Sequence, residues 1–417
     1  MRILQINSDF EYGSTGRIAS ELHAILLLKG YKSTVAYGRK RNIDVSCSDV
    51  IRIGSAFDNY LHVAKTRVFD AHGFASLSPT KKFINKIEGM QPDLIHLHNL
   101  HGYYIQISLL FKYLKKIKKP VVWTLHDCWA FTGHCSYYDY IGCDKWKIKC
   151  QQCLLKSEYP SSFLFDRSKK NYKQKKEIFS SLDNLTLVTP SIWLKNQVKL
   201  SFLRNYPVKV INNGIDLEIF RPRYSDIKVR LSIEHKFIIL GVASIWSERK
   251  GLQYFIELAK RLKHDEHIIL VGLNDQQIKK MPEGVTGIKR TNSTIELSEV
   301  YSAADVFLNP TLEDNYPTTN LEAIACGTPV ITFNSGGSSE SIKNGCGLIV
   351  NRGDYKELVD AIAKIKLKGK NKYAQNCLLH AASNFNKKVL FEEYIDLYKK
   401  VQKTNGITNN SKCLKKN

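Results

Sequence analysis

Two acidic residues, Asp314 and Glu322, bracket the segment Asn315-Tyr-Pro-Thr-Thr-Asn-Leu321. Paired carboxylates suggest acid–base work on a glycosidic bond, but this spacing argues against it. If the stretch were all helix, ~1.5 Å per residue would hold the two acids about 12 Å apart. A retaining glycosidase holds its pair ~5–5.5 Å apart. The two acids fit better as acceptors for hydroxyl groups on either side of a bound phosphate. Between them, Pro317 suits a first helical turn, Thr318 or Thr319 can cap it, and Gly327 with Pro329 ends it. A helix starting there would leave the amides of Thr319 and Asn320 for an anion. The plainer reading of either acid alone is a solvated carboxylate near a helix end.

A second group is Cys135, Cys143, Cys150 and Cys153. One Cys-x-x-Cys pair with two further thiols could hold a tetrahedral structural zinc, with His134 as a spare ligand. Four thiolates would close the coordination sphere, so catalysis by such a metal is not expected. The rival reading is free thiols in a core. Trp129, Phe131, Tyr137, Tyr138, Tyr140 and Trp146 are interleaved with them, which predicts a small aromatic-packed insertion. Two basic runs flank it, Lys112–Lys119 and Arg167, Lys169, Lys170, Lys173, Lys175 and Lys176. With Phe163 and Phe165 beside it, the second run suits either an anionic membrane surface or a solvated helix face.

These residues need a scaffold, and the rest of the chain supplies a pattern for one. It has 417 residues, 43% apolar and 24% charged, which excludes wholesale disorder and predicts two or three domains. Lys and Arg number 62 against 39 acids, a net charge of +23 that points to an anionic partner. No apolar run approaches the ~18–20 residues of a membrane span. The N-terminus meets Ser8 and Asp9 too early for a signal peptide, so the expected location is cytoplasmic. Short β-branched runs alternate with helical patterns: Arg2–Asn7, Ser33–Gly38, Val50–Gly54, Asp93–His98 and Val121–His126, then Phe237–Ser244, His267–Gly272, Val306–Thr311, Pro329–Phe333 and Leu348–Asn351. Continuous apolar strands separated by helices predict two doubly wound α/β sheets, with ligands in a cleft at the strands' carboxyl ends. The expected divisions are 1–205 with a Cys-rich insertion near 128–155, then 206–386, a helix 387–402 returning to the first domain, and a disordered tail 403–417.

The segment from Asp314 to Glu322-Ala-Ile-Ala-Cys-Gly-Thr-Pro-Val330 resembles the signature of retaining glycosyltransferase family 4. That family has two facing Rossmann-like domains, the GT-B fold, with a cleft between them. By this resemblance Glu322 binds the nucleotide's ribose and Asp314, with Glu313 beside it, a hydroxyl of the transferred sugar. Ile211-Asn-Asn-Gly-Ile-Asp216 resembles the turn that opens the family's second domain. Gly241-Val-Ala-Ser-Ile-Trp-Ser-Glu-Arg-Lys-Gly251 resembles its diphosphate-binding segment, with Lys250 at the phosphates. Ser244 stands where the family usually has Arg, and Arg249 is the candidate substitute. Asn334-Ser-Gly-Gly-Ser-Ser-Glu340 resembles the loop near the sugar, where Gly336 and Gly337 let the backbone approach. Tyr12-Gly-Ser-Thr-Gly-Arg17 resembles the N-terminal glycine loop, placing Gly13 and Gly16 against donor or acceptor and Arg17 near a phosphate. His126 matches an active-site His, and His98, Asn99 and His101 are candidates for the acceptor side.

The resemblance implies an enzyme, a hexosyltransferase-type glycosyltransferase that uses a nucleotide-sugar as co-substrate and no metal for its chemistry. Its acceptor would be a glycan or lipid-linked, with retention of configuration and a role in polysaccharide biosynthesis (capsule, exopolysaccharide or O-antigen). Contact with an anionic membrane at the inner face of the cell would be peripheral, and no nucleic acid is expected. The catalytic candidates are His126, Asp314 and Lys250. The donor-binding candidates are Gly13, Gly16, Arg249, Lys250, Glu313, Thr319, Asn320, Glu322 and Gly337. A nucleic-acid-binding protein with a zinc module, and a nucleotide-sugar hydrolase or epimerase, are the rival readings.

Overall fold

The computed structural model describes residues 1–39, 49–343 and 345–414, with side chains as far as 405. Two compact units emerge: Met1–Ile211 together with Phe391 onward, and Asn212–Leu390.

The first unit is built on a parallel sheet of β1 (Arg2–Asn7), β2 (Lys32–Tyr37), β3 (Val50–Arg52), β4 (Leu94–Leu97), β5 (Val121–Thr124), β6 (Leu185–Thr189) and β7 (Val208–Val210). Their spatial order is β3-β2-β1-β4-β5-β6-β7. Its helices are α1 (Gly13–Leu28), α2 (Ala56–Phe69), α3 (Leu77–Met90), α4 (Ile107–Ile117), α5 (Ser168–Phe179) and α6 (Ile192–Leu200). The central strands β4 and β5 are buried at every residue, which is why they read as apolar runs rather than alternating ones. Neighbouring residues still go to opposite faces. Leu4, Ile6, Ile95, Leu97, Val121 and Trp123 join one core, and Ile3, Leu94 and Val122 join another.

The second unit repeats the plan with β8 (Phe237–Val242), β9 (Glu266–Val271), β10 (Val285–Ile288), β11 (Val306–Asn309), β12 (Val330–Phe333) and β13 (Gly347–Val350), in the order β10-β9-β8-β11-β12-β13. Its helices are α7 (Ile227–Arg230), α8 (Leu252–Ala259), α9 (Asp275–Ile278), α10 (Thr294–Ala303), α11 (Thr318–Ala325), α12 (Tyr355–Lys368) and α13 (Asn371–Asn384). Every strand pair in both sheets is parallel. Both strand orders reverse once, between β1 and β4 and between β8 and β11, and such reversals are where doubly wound sheets bind ligands.

The last helix, α14 (Lys387–Leu414), begins in the second unit and continues in the first. There Phe391, Tyr394, Ile395 and Tyr398, spaced as one helical face, pack with Ile18, Leu22 and Leu26 of α1. Burying each such side chain is worth ~1.5–3 kcal/mol. The expectation of a disordered tail from 403 differs from the structure, in which α14 continues to Leu414. No proline interrupts 387–414, so the backbone has no obligatory break there.

Candidate active site

In the second unit the carboxyl ends of β8, β11 and β12 are sewn together by their loops. The chain after β8 turns through Arg249 and Lys250 into Gly251, whose φ of +80° and approach to Pro310 exclude a side chain; a Cβ would lie 2.1 Å from the Pro310 carbonyl oxygen. The Leu312 amide donates to the Arg249 carbonyl at 2.8 Å, and the Arg249 guanidinium donates to the Glu313 carbonyl at 2.5 Å. The Lys250 ammonium lies 2.5 Å from Asp314 Oδ2. From the β12 loop, the Gly337 amide donates to the Asp314 carbonyl at 2.9 Å, and Ser335 Oγ to the Thr311 carbonyl at 2.6 Å. Gly336 (φ +56°) sits so close that a Cβ would come within 2.1 Å of the Asp314 carbonyl oxygen.

The electrostatics follow from this packing. Burial by itself would raise the Asp314 carboxyl, but Lys250 and Arg249 outweigh it and hold the group below the ordinary carboxylate range. Burial draws the Lys250 ammonium below its usual value, and Asp314 opposes that. The result is an ion pair with a second cation, Arg249, beside it.

α11 starts after Pro317, its N-cap, with no side-chain cap, so neither Thr318 nor Thr319 caps it as expected. Proline at that position fixes the backbone without one. The Asn320 amide, expected to serve an anion, instead donates to the Pro317 carbonyl at 3.2 Å. The Asn320 side chain is a bracket: it accepts from Asn309 Nδ2 at 2.8 Å and donates to the Ser338 carbonyl at 3.1 Å. Glu322 is buried and accepts from Tyr301 Oη at 3.0 Å, while Glu313 is fully buried.

In the first unit, Asn7 closes the glycine loop by donating to the carbonyls of Asp9 (2.8 Å) and Thr15 (3.1 Å). Gly13 has φ +66°, and a Cβ at Gly16 would meet the Asp9 backbone at 3.4 Å. Arg17 lies in the second turn of α1. The Asn99 amide donates to Asn7 Oδ1 at 3.2 Å, joining the start of the β4 loop to β1.

Beyond β4 and β5 the histidines assemble. His98 Nε2 meets Gln5 Oε1 at 3.1 Å, and its Nδ1 meets His126 Nε2 at 3.2 Å. An amide oxygen accepts only, so His98 carries its proton on Nε2 and accepts from His126 Nε2–H. His126 then keeps a lone pair on Nδ1. Burial depresses His98 well below the usual imidazole value and His126 to about 4, so both are neutral at physiological pH. His101 pairs with Asp127 at 2.7 Å and reaches Tyr159 Oη at 3.0 Å. Behind them His96 bonds Thr124 Oγ1 and Tyr398 Oη, and His72 accepts from the Gly102 amide. His62, His72 and His96 escaped the sequence reading. One signal was present: Gln5 and His96 interrupt two buried apolar strands and are register partners.

Among the described residues no group of three or more His, Cys, Asp or Glu is placed to hold a metal ion, and Cys135, Cys143, Cys150 and Cys153, the residues expected to bind zinc, form no disulfide. Cys150 Sγ accepts from the Gly133 amide at 3.2 Å, and burial pushes its thiol up to about 12. Aromatic packing clamps the insertion instead: Trp146 lies 5.1 Å from Phe131 and 4.8 Å from Tyr138. Lys175, expected on a basic surface, is buried, and donates to the carbonyls of Trp129 (2.8 Å) and Thr132 (3.2 Å). Lys169, Lys170, Lys173 and Lys176 of the same helix are exposed.

Comparison with known proteins gives these sites a context. Residues 34–219 match the model of Glycosyltransferase Family 4, and residues 236–366 that of Glycosyl transferases group 1. A glycosyl transferase assigned to colanic acid biosynthesis in Escherichia coli (strain K12) is 27% identical, over 86% of this chain and 89% of its own length. The UDP-Gal:alpha-D-GlcNAc-diphosphoundecaprenol alpha-1,3-galactosyltransferase of Escherichia coli is 25% identical, over 69% of this chain and 77% of its own. Among solved structures, sucrose-phosphate synthase from Thermosynechococcus elongatus superposes with a TM-score of 0.70 at 17% identity, covering 96% of this chain and 99% of that one. Two parallel doubly wound units, the loop signature of the second and these matches agree: the chain is a glycosyltransferase of the GT-B fold, with a Glycosyltransferase Family 4 domain followed by a Glycosyl transferases group 1 domain.

Proposed function

We propose that the chain transfers a hexosyl group from a nucleoside-diphosphate sugar to a lipid-linked glycan acceptor, with retention of anomeric configuration, in the assembly of a bacterial surface polysaccharide. The observation that carries this reading is the junction at the β8–β11 reversal, where Arg249 and Lys250 are held against Glu313 and Asp314 by two contacts of 2.5 Å. Adjacent cations at the carboxyl ends of parallel strands suit a diphosphate. The relatives support the rest, one by its assignment to colanic acid biosynthesis and the other by the UDP-sugar and lipid diphosphate in its name. A nucleic-acid function is not favoured, because the charge finds a sufficient anionic partner in this substrate.

In this reading Lys250 exchanges Asp314 for a phosphate oxygen when the donor binds, and Asp314 then accepts a hydroxyl of the sugar. As the bond to the diphosphate breaks, negative charge grows on the departing oxygen, and Lys250, Arg249 and the Thr319 amide offset it. The acceptor hydroxyl attacks the anomeric carbon from the leaving-group face, and its proton passes to the departing phosphate oxygen. Glu322 takes the ribose hydroxyls. Neutral His126 accepts a hydrogen bond through Nδ1, and His98, Asn99 and His101 line the acceptor side. No helix among the described residues is long and apolar enough to cross a membrane, so contact with lipid would be peripheral.

The test is calorimetry with UDP, followed by transfer from UDP-hexoses to an undecaprenyl-diphosphate sugar. Glu322→Ala should weaken UDP binding about 10- to 100-fold, since a charge-assisted hydrogen bond is worth ~1.5–3 kcal/mol. Unchanged affinity removes Glu322 from the ribose. An inverted anomeric centre in the product refutes retention, and release of free hexose with the acceptor untouched identifies a hydrolase.

A further inference from the structure

Outside the donor and histidine sites, the first unit holds a cavity of 330 Å³ at the carboxyl end of edge strand β3. Its polar lining is Arg52, Ser55, Asp58, Ser78, Lys82 and Lys86. Arg52 also has two guanidinium nitrogens, Nε and Nη2, that are buried without a hydrogen-bond partner. Buried donors are ordinarily satisfied, so an orphaned guanidinium on a cavity wall points to a missing acceptor. Lys82 and Lys86 stand one helical turn apart on α3, an arrangement of like charges that costs free energy unless an anion lies between them. Asp58 supplies only part of it: its Oδ2 accepts from the Ser55 amide (2.8 Å) and hydroxyl (2.6 Å) in the cap of α2, and the same carboxylate is shared between Lys82 and Arg52. Three cations against one engaged carboxylate leave an excess of two positive charges, the complement of a phosphate.

The source of that phosphate is indicated by the same helix. α2 turns Phe57, Tyr60 and Leu61 outward, exposed by 69%, 73% and 46%, on one stripe at i, i+3 and i+4. At its far end Phe69 stacks on Phe165, 5.7 Å apart and 12° from parallel. The Phe163 and Phe165 amides donate to the carbonyls of Arg67 and Val68, fixing another exposed apolar segment beside the helix. Apolar stripes of this size on a water-facing helix mark an interaction surface. Beside a phosphate-sized cluster of cations, that surface suits a bilayer.

We propose that the cavity lined by Arg52, Lys82 and Lys86 binds a lipid-borne phosphate group, while the outer face of α2 and the Phe163–Phe165 segment enter the apolar layer of the same membrane. The proposal rests on the lipid-linked part of the function above and assigns it a place. It moves the membrane contact from α5, where the sequence put it, to α2.

The experiment is sedimentation of the full chain with phosphatidylcholine vesicles, plain or doped with phosphatidylglycerol, with inorganic pyrophosphate as soluble competitor. Lys82→Gln with Lys86→Gln should lower partition onto the doped vesicles about 30-fold, at ~1 kcal/mol per basic residue near a lipid surface. Phe57→Ser with Leu61→Ser should lower it on both vesicle types. Lys169→Gln with Lys170→Gln on α5 removes equal charge and should leave it within about twofold. An α5 loss as large as the α3 loss overturns the site in favour of diffuse charge. Pyrophosphate should displace wild type from doped vesicles, and failure to compete also overturns it. Both lysines are exposed, and an unchanged melting temperature certifies each variant's fold. UDP-induced stabilisation is read on the same samples. Its retention when the vesicle effects fail refutes this inference alone, whereas a wild type that binds no vesicle removes the lipid-linked part of the proposed function as well.

Discussion

Acid should destabilise the first unit more than the second, where only His267 and His380 among the described histidines are lowered by burial, and the structure sets the size of the effect. Burial lowers six imidazoles of this unit below the ordinary value of 6.5: His62 and His96 to about 3, His126 to about 4, His72 and His98 well below, and His23 as well. A group depressed on folding contributes stability above its unfolded pKa and loses it as the pH falls toward its folded one. At about pH 5.5, one unit below the unfolded value, each costs about 1.4 kcal/mol, whatever its folded pKa below about 5. The first five together give about 7 kcal/mol. His134 acts in the opposite sense. Burial would lower it, but its 2.6 Å contact with Asp70 prevails and raises it. Such a group gains stability as the pH falls, by at most about 1.4 kcal/mol here, leaving a net loss of about 5–6. Domains are stable by ~5–15 kcal/mol, so the unit should be near its unfolding threshold. Urea unfolding followed by tryptophan fluorescence at about pH 7.5, 6.5 and 5.5 reads this directly, since Trp123, Trp129 and Trp146 are buried in this unit. The midpoint should fall by about 2 M, and His98→Gln should remove about 1.4 kcal/mol of the pH dependence. A total change below about 2 kcal/mol would falsify the view that these imidazoles are neutral because they are buried.

Three further outcomes are expected. Gly336→Ala drives a methyl group into the Asp314 carbonyl at a left-handed φ, and should lower stability by about 2 kcal/mol or more in thermal melts. A melting temperature within error would mean the β12 loop shifts freely. Asp314→Asn frees Lys250, so UDP affinity should hold or rise while turnover drops by about 100-fold or more; parallel losses in both would assign Asp314 to nucleotide binding instead. Tyr398→Phe leaves His96 without its 2.6 Å partner and should cost about 1–3 kcal/mol, measurable as a lower urea midpoint with unchanged slope.

The fold was legible because parallel strands leave a local mark. Val121-Val-Trp-Thr124 and Val306-Phe-Leu-Asn309 are apolar without alternation, and each is followed by a helical pattern. The weaker strands β6 and β10 were not picked out; β10 is only half-buried and carries Thr286 and Gly287. In the second unit the loop residues were legible since one continuous segment holds both acids, the helix start and the terminating Gly-Pro. The histidine network was legible only in part: His98, His101 and His126 follow apolar strands, but Gln5, His72 and Tyr398 join them from segments far away in the chain. Lys175 misled for the opposite reason. Its neighbours are exposed lysines, and nothing local shows that its side chain turns inward to Trp129 and Thr132. The aromatic packing of the insertion, by contrast, was legible, because Phe131, Tyr138 and Trp146 stand within one short stretch.

The chain order carries a consequence for how this protein is made. A face of the first sheet, with Ile3, Leu94, Val122 and Val188, is covered by Phe391, Tyr394 and Tyr398, which leave the ribosome only after the whole second unit. At ~5–20 residues per second, translation of the intervening stretch takes on the order of ten to forty seconds. Throughout that interval the nascent first unit has most of its strands but an uncovered apolar surface. It must wait, shielded by chaperones or loosely collapsed, while the inserted unit folds on its own. Truncation anywhere before Phe391 should therefore yield an aggregating fragment rather than a smaller working domain.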